Sequence, residues 1–333
     1  MSSWEPPPNL ICLPELLPGQ HLYSYLADIH QFSGHISPTK SQKWIANDAG
    51  PLKTNNKPRP GLFRLSRLLS DAFGFDFLQL SLGHSVLDFF RPLLRTQELN
   101  VIQKLAESST NGSHDLKLNG LSSFNPRTWR FCHVCAEEDD SLYGRSYWHA
   151  KHQTTGVCFC YRHPGQQLTQ SCSACSYHWD DLRSCGPPPH NGQCPKCGMA
   201  IHGTPERLVE EQVRLDQQLI QWLNFGLHAV DQEAVQLLFC DTLGIPPDGV
   251  AHTVSNNKML KQLQADFDAS LSDSLLHGML KSVSRYRTNN QISYLSVFQI
   301  CYARKYIQHP ISLIFMANHL GIPLGRLTTD ALS

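Results

Sequence analysis

The sequence lacks several features that would assign it to common classes of protein. Its 28 basic and 28 acidic residues balance, so no net charge draws the whole chain onto nucleic acid or an anionic membrane. It contains no run of about 18 apolar residues that could form a membrane-spanning helix. No apolar signal segment opens it, since Pro6, Pro7 and Pro8 interrupt the place where one would lie. These absences predict a cytoplasmic protein.

Motifs of several enzyme classes are also missing. There is no His-Glu-x-x-His helix, no glycine-rich phosphate loop and no serine-nucleophile motif. The nearest pattern to a zinc deaminase is His178-x-Asp180 upstream of a Cys-x-x-Cys pair. That chemistry needs a glutamate as proton shuttle, and it leaves Cys172 and Cys175 without a role. We therefore expect a protein that is not an enzyme, with a metalloenzyme as the least favoured alternative.

What the sequence does contain is a concentration of metal-ligand residues, including twelve cysteines in all. Seven cysteines and one histidine form four close pairs: Cys132-x-x-Cys135, Cys160-x-x-His163, Cys172-x-x-Cys175 and Cys194-x-x-Cys197. A two-residue gap lets both side chains of a pair turn towards one point, and two pairs complete the closed tetrahedral shell of a structural zinc. The four pairs therefore predict two structural Zn²⁺ ions, with no catalytic residues.

The partition of these pairs between the two ions has alternatives. In the second site, 18 residues separate Cys175 from Cys194, which is typical of a zinc ribbon. The first site has a longer loop, and Cys158 competes with Cys160 for a place in it. Sequential pairing closes the shorter loops and costs less chain entropy, so it is favoured over a cross-braced arrangement. A disulfide cluster is a further alternative, but reduced thiols fit a cytosolic setting better.

The rest of the chain indicates helices on both sides of this module. We expect an N-terminal helical domain over residues 1–123, a double zinc-binding module over 124–203 and a C-terminal helical domain over 204–333. The fold class is mainly α, with a central double zinc-finger or zinc-ribbon module and helix-turn-helix-like units on both sides. Apolar residues at helical spacing predict a first helix that Gly34 ends, and another helix between Leu87 and Leu105.

A short repeat supports the helix-turn-helix units. Leu243-Gly244-Ile245-Pro246 recurs 77 residues later as Leu320-Gly321-Ile322-Pro323, each time after an amphipathic helix. The segment around Gly74 has the same layout. Glycine at the turn adopts a backbone angle that other residues resist, while the flanking apolar residues hold the two helices together. The residues from Leu324 to Leu332 are then a candidate recognition helix.

Two basic runs are candidate contacts for nucleic acid or for a partner. No acidic residue occurs between Ser274 and Thr329, and a second run between Lys40 and Arg67 contains only one. Each could line a phosphate backbone, or simply form solvated surface. The candidate contact residues are Lys53, Lys57, Arg59, Arg64, Arg67, Lys281, Arg285, Arg287, Arg304, Lys305 and Arg326.

Several of these motifs together resemble a known family, the TniQ/TnsD transposon target selectors. The resemblance rests on the opening helix from Leu22 to Ala27, the Cys132-His-Val-Cys pair, Tyr147-Trp-His, Cys160-Tyr-Arg-His and the two later Cys-x-x-Cys pairs. It covers about residues 15 to 200. His309-Pro-Ile-Ser-Leu is similar to a motif in the family's C-terminal helical part.

The resemblance implies a non-enzymatic adaptor of transposition. Some members bind an attachment site in DNA, and members carried by CRISPR-associated transposons sit on the RNA-guided surveillance complex, Cascade. Either kind recruits an AAA+ ATPase that brings the transposase. The expected partners are therefore Cascade proteins with their guide RNA, the ATPase and target DNA, with a second copy of the chain as a further candidate. The alternative is a TnsD-like protein that marks an attachment site by reading its DNA sequence.

Overall fold

The structure, a computed structural model, is mainly helical in the residues that it describes. Those residues are 14–34, 37, 40–41, 60–107, 128–180, 186–201, 210–248, 254–272, 275–276 and 295–332. Within them there are only isolated β-bridges and no strands. The α-helices are α1 Leu22–Ser33, α2 Pro60–Phe73, α3 Phe77–Gly83, α4 Thr96–Glu107, α5 His133–Tyr143, α6 Glu210–Leu223, α7 Gln232–Leu243, α8 Val254–Ala269, α9 Val297–Tyr302, α10 Pro310–His319 and α11 Thr329–Leu332.

Contacts divide the chain into two compact units. Unit 1 includes the described residues up to 88, residues 97–107 and residues 128–201, whereas unit 2 includes residues 89–96 and the described residues from 210 onwards. The three-domain division made from the sequence stays a prediction. In the part of the chain that the structure describes, no helix is long and apolar enough to cross a membrane.

Helix α1 begins and ends where the sequence predicts. Nδ1 of His21 accepts a hydrogen bond from the Tyr23 amide at 3.1 Å, which satisfies one of the free N–H groups at the start of the helix. Gly34 ends the helix in the left-handed region, with φ of 63°. On its apolar face Tyr25 and Ile29 are buried, whereas Phe32 near the end of the helix is 49% exposed.

The segment before α1 is bound to the metal-ligand region within unit 1. The Ala150 amide donates to the Gly19 carbonyl at 2.8 Å, and the His21 amide donates to the Trp148 carbonyl at 2.8 Å. Trp148 in turn donates its amide to Oγ of Ser24 at 3.1 Å. These bonds fix the start of α1 against the residues around Trp148.

Helices α2 and α3 form the first predicted helix-turn-helix. Gly74 joins them with φ of 71°, and Asp76 caps α3 by accepting a hydrogen bond from the Gln79 amide at 2.6 Å. Leu62 and Leu69 lie on an apolar face of α2 and are buried. The two helices pack against each other, as the sequence pattern indicates.

The prediction of a single helix between Leu87 and Leu105 is wrong. The chain forms a 3₁₀-helix over Val86–Leu93 and then a separate helix, α4. Pro92 lies inside the 3₁₀ segment, and proline lacks the N–H that a continuing α-helix requires. The apolar residues do recur at helical spacing, but Pro92 interrupts the backbone hydrogen bonds that one continuous α-helix would need.

Unit 2 is organised around the buried face of α6 and the helix α7. Leu215, Leu219 and Trp222 form a buried apolar stripe on α6. The indole N–H of Trp222 donates to the Phe89 carbonyl at 2.8 Å. Two glutamines of α7 then bind backbone carbonyls of α9 and the loop after it. Gln236 bonds to Ile300 at 2.9 Å and Gln232 bonds to Tyr306 at 3.0 Å.

The repeated Leu-Gly-Ile-Pro motif ends both of its helices in the same way. Gly244 and Gly321 both have φ of 67°, and each following isoleucine donates its amide to the carbonyl five residues earlier, at 2.9 and 2.8 Å. This is the Schellman pattern that glycine permits. After the second motif the expected recognition helix does not form. Leu324–Leu327 is a 3₁₀ turn, Thr328 is extended, and α11 starts anew at Thr329.

Candidate zinc centres

The first cluster brings together Cys132, Cys135, Cys160 and His163 in unit 1. Their ligand atoms lie within 4.8 Å of one another. Nδ1 of His163 is 3.6, 3.3 and 3.5 Å from the Sγ atoms of Cys132, Cys135 and Cys160, and the last two Sγ atoms are 3.4 Å apart. The three cysteines are buried.

Local backbone structure explains why these side chains converge. Cys132 is the N-cap of α5, so Cys135 lies one turn later on the same side of the helix. Phe159 and Gln167 form a β-bridge beside the other pair, and the Cys160 amide donates to the Gln166 carbonyl at 2.8 Å. A helix start and a tight hairpin therefore present one ligand pair each.

The second cluster consists of two nearly identical turns. Cys172 and Cys175 occupy one turn, and Cys194 and Cys197 occupy the other, with Sγ separations of 3.8 Å between Cys172 and Cys197 and 3.7 Å between Cys175 and Cys194. In each turn the residue after the second cysteine donates its amide to the carbonyl of the first, at 2.8 Å. These residues are Ser176 and Gly198.

Both clusters fit a tetrahedral zinc ion. Zn–S bonds of about 2.3 Å place two sulfurs of a tetrahedron about 3.8 Å apart, and a Zn–N bond of about 2.0 to 2.1 Å places sulfur and nitrogen about 3.6 Å apart. The observed separations of 3.4 to 3.8 Å between sulfurs and 3.3 to 3.6 Å between sulfur and nitrogen match these values. Each cluster could hold one zinc with all four positions filled by protein, as a structural site requires.

The geometry selects among the alternatives left open by the sequence. The pairs combine sequentially and not in a cross-braced manner. Cys160, not Cys158, lies in the first cluster, while Cys158 donates its thiol to the Gly156 carbonyl at 3.4 Å. The ten described cysteines are all free of disulfide bonds, which excludes a disulfide cluster among them.

Hydrogen-bond donors lie close to the ligand sulfurs of both clusters. The amides of Arg162 and His163 donate to Sγ of Cys160 at 3.3 and 3.4 Å, and Nε2 of the buried His152 lies 3.3 Å from the same sulfur. In the second cluster, the Cys175 amide and other nearby donors lower the pKa of Cys172 to about 7. Burial has the opposite effect on its neighbour and raises the pKa of Cys175 to about 12.

Aromatic residues fill the space around the ligand pairs. Phe131, which precedes the first ligand, packs edge-to-face against Trp148 and Trp179 with ring centroids 5.8 and 5.2 Å apart. Trp129 packs against Trp148 at 6.0 Å. All four rings are buried, so they form the apolar core of the metal-ligand region.

A polar network that the sequence analysis did not identify adjoins the first cluster. Arg162 donates to Oε2 of Glu138 and to Oδ1 of Asp139, both at 2.8 Å. The other oxygen of Asp139 is 2.6 Å from Nε2 of His149, whose Nδ1 is 2.9 Å from the Tyr161 hydroxyl. One signal could have suggested Glu138, since it follows Cys135 by three residues and lies on the same helical face.

The candidate contacts for nucleic acid are only partly described. Six of the eleven lie outside the described residues: Lys53, Lys57, Arg59, Lys281, Arg285 and Arg287. On α2, Arg64 is half-buried, and burial lowers its pKa. Arg67 is partly exposed and forms an ion pair with Asp71 at 3.0 Å.

The three described candidates in unit 2 differ in their surroundings. Arg304 donates to the Gln236 side chain and, at 2.8 Å, to the Cys301 carbonyl, so it holds the end of α9 to α7. Lys305 is exposed and lies 5.9 Å from the centre of the Tyr306 ring. Arg326 is exposed in the 3₁₀ turn after the second Leu-Gly-Ile-Pro motif.

Comparison with known proteins adds one family. No curated protein matches the chain. The family model TniQ matches residues 12–166, a stretch that contains α1, the helix-turn-helix of α2 and α3, and all four ligands of the first cluster. Residues 12–166 are therefore similar to a TniQ domain, which supports a protein associated with transposition.

Proposed function

We propose that this protein is a non-catalytic target-selection adaptor in DNA transposition. It links an RNA-guided CRISPR surveillance complex, Cascade, to an AAA+ transposition ATPase, which in turn brings the transposase. The observation that carries the proposal is the TniQ domain over residues 12–166. TniQ family proteins are non-catalytic regulators or targeting proteins of transposition, which supports an adaptor rather than an enzyme.

The metal clusters support this proposal because they suit a scaffold. Each offers four protein ligands and leaves no position for a substrate or a reactive water, which a catalytic zinc needs. Their role is then to hold the aromatic core and the start of α1 in a fixed arrangement. A fixed arrangement helps a docking protein, because less conformational entropy is lost when a partner binds.

The described surface favours the adaptor over a protein that reads DNA by itself. Among the five described candidates, Arg304 is engaged within the fold, Arg64 is half-buried, and Arg67 is partly exposed but paired with Asp71. Lys305 and Arg326 are exposed. The segment from 324 to 332 is also not one continuous helix, and Leu324 and Leu327 on it are buried.

Co-purification tests the adaptor role directly. The tagged full chain is expressed with Cascade subunits and guide RNA, and in a separate culture with the AAA+ ATPase. We expect Cascade and its RNA to co-purify with the chain, and the ATPase to associate as well. If neither Cascade nor the ATPase associates, the adaptor proposal is wrong.

A gel shift over a salt series tests the TnsD-like alternative. A site-specific reader with six to ten phosphate contacts would lose about 10³- to 10⁵-fold in affinity between about 50 and 200 mM salt. The Lys305→Ala and Arg326→Ala variants would each reduce the salt slope by about one if those side chains contact phosphates. The adaptor predicts weak binding that is uniform across sequences and unchanged in both variants.

A further inference from the structure

Glu138 lies on the side of His163 that faces away from the three cysteines of the first cluster. Its Oε1 is 3.1 Å from Nε2 of His163, whereas Nδ1 of the same ring faces the sulfurs. The imidazole ring is therefore held between a carboxylate and the metal-binding centre. Such a carboxylate partner is the usual device that orients a histidine ligand and fixes its tautomer.

The hydrogen-bond roles follow from the partners present. A carboxylate oxygen accepts, so Nε2 of His163 must carry the hydrogen that it donates to Glu138. In the neutral imidazole that binds metal, Nδ1 then has a free lone pair. That lone pair points to the centre of the cluster, since Nδ1 is 3.3 to 3.6 Å from all three sulfurs.

We propose that Glu138 is a positioning residue for the first zinc, because it fixes His163 in the tautomer that binds through Nδ1. Arg162 holds the Glu138 carboxylate beside His163. Its guanidinium donates to Oε2 of Glu138 and to Oδ1 of the buried Asp139, so the carboxylate that faces His163 is held in place. The inference concerns the metal site alone and does not depend on the proposed function.

The neighbouring Glu137 provides a matched control. It lies on the same helix but is exposed, and it belongs to the same residue type with the same charge. Glu138→Ala and Glu137→Ala therefore remove an equal charge from α5. Only Glu138→Ala removes the acceptor of His163.

Zinc competition with a chelator measures the effect on the zinc-loaded full chain. We expect Glu138→Ala to weaken zinc binding at the first site by about 10- to 100-fold, the range typical of such partners. Glu138→Gln should lose less, because its amide oxygen can still accept from Nε2. Unchanged affinity at the second site shows that the chain is folded. Equal affinities in Glu138→Ala and Glu137→Ala would overturn the proposal.

Nitrogen NMR reports directly which ring nitrogen of His163 is protonated and which one binds the metal. In zinc-loaded protein with ¹⁵N-labelled histidine, His163 should show a protonated Nε2 and a metal-bound Nδ1. The variant His163→Cys retains four ligands and identifies the His163 signals by their loss. A metal-bound Nε2 in the native protein would contradict the assignment regardless of the affinities.

Discussion

Replacing Ser176 with glycine should strengthen zinc binding at the second cluster. Ser176 has φ of 55°, in the left-handed region that side chains other than glycine rarely adopt. The equivalent position in the other turn of the cluster is Gly198, with φ of 71°. The two turns have the same geometry, but Gly198 adopts the positive φ without strain, whereas Ser176 adopts it at an energetic cost.

The magnitude follows from two opposing terms. A left-handed conformation costs a residue with a Cβ about 1 to 2 kcal/mol, whereas glycine loses about 0.5 to 1 kcal/mol more backbone entropy on folding. The net gain for Ser176→Gly is then about 0 to 1.5 kcal/mol, and its midpoint of about 0.75 kcal/mol corresponds to about three- to four-fold in zinc affinity. Gly198→Ser should lose a similar amount, because a Cβ there meets nothing within 4 Å and adds no clash.

Chelator competition on the full chain measures both variants at the second site. The first site serves as the internal reference, since neither change touches its ligands. If Ser176→Gly weakens zinc binding, or if both variants shift the affinity in the same direction, the left-handed backbone at Ser176 does not limit zinc binding.

Two further predictions concern the zinc ligands and the buried carboxylate of α1. Cys172→Ser should unfold the second site and leave one zinc per chain, because structural zinc contributes about 10 kcal/mol or more of apparent binding energy; Cys158→Ser should retain two, and metal analysis distinguishes them. Burial raises the pKa of Asp28 to about 6 despite hydrogen bonds from Gln20 and Arg145 that lower it. Because this folded pKa exceeds the ordinary value of 3.8, ionisation of Asp28 should remove stability as the pH rises through about 6. NMR titration of its carboxyl carbon checks this, and a midpoint near 4 would contradict it.

The zinc ligands could be predicted from the sequence because a Cys-x-x-Cys turn is a local structure. Its two side chains converge whatever the rest of the chain does, so spacing alone identifies the pair. The Leu-Gly-Ile-Pro turns were predictable for the same reason, since the positive φ of Gly244 and Gly321 is a local requirement. The match of residues 12–166 to the TniQ family likewise confirms the resemblance.

Contacts between distant segments could not be predicted in this way. Nothing in the local pattern indicates that residues 17–24 bond to the segment around Trp148, or that Gln236 binds the end of α9. The continuous helix expected from 324 to 332 does not form, because the Leu-Gly-Ile-Pro motif specifies the turn but not where the backbone hydrogen bonding breaks after it. Glu138 was missed because its role depends on Arg162, 24 residues later in the chain.

The metal content of the protein tests the assignment of two zinc sites most directly. Inductively coupled plasma mass spectrometry on freshly purified, reduced full chain should find two zinc ions per chain, one for each cluster. Loss of one ion in Cys194→Ser, with the other retained, would identify the second cluster as an independent site. Native protein that is folded yet contains no zinc would contradict the account.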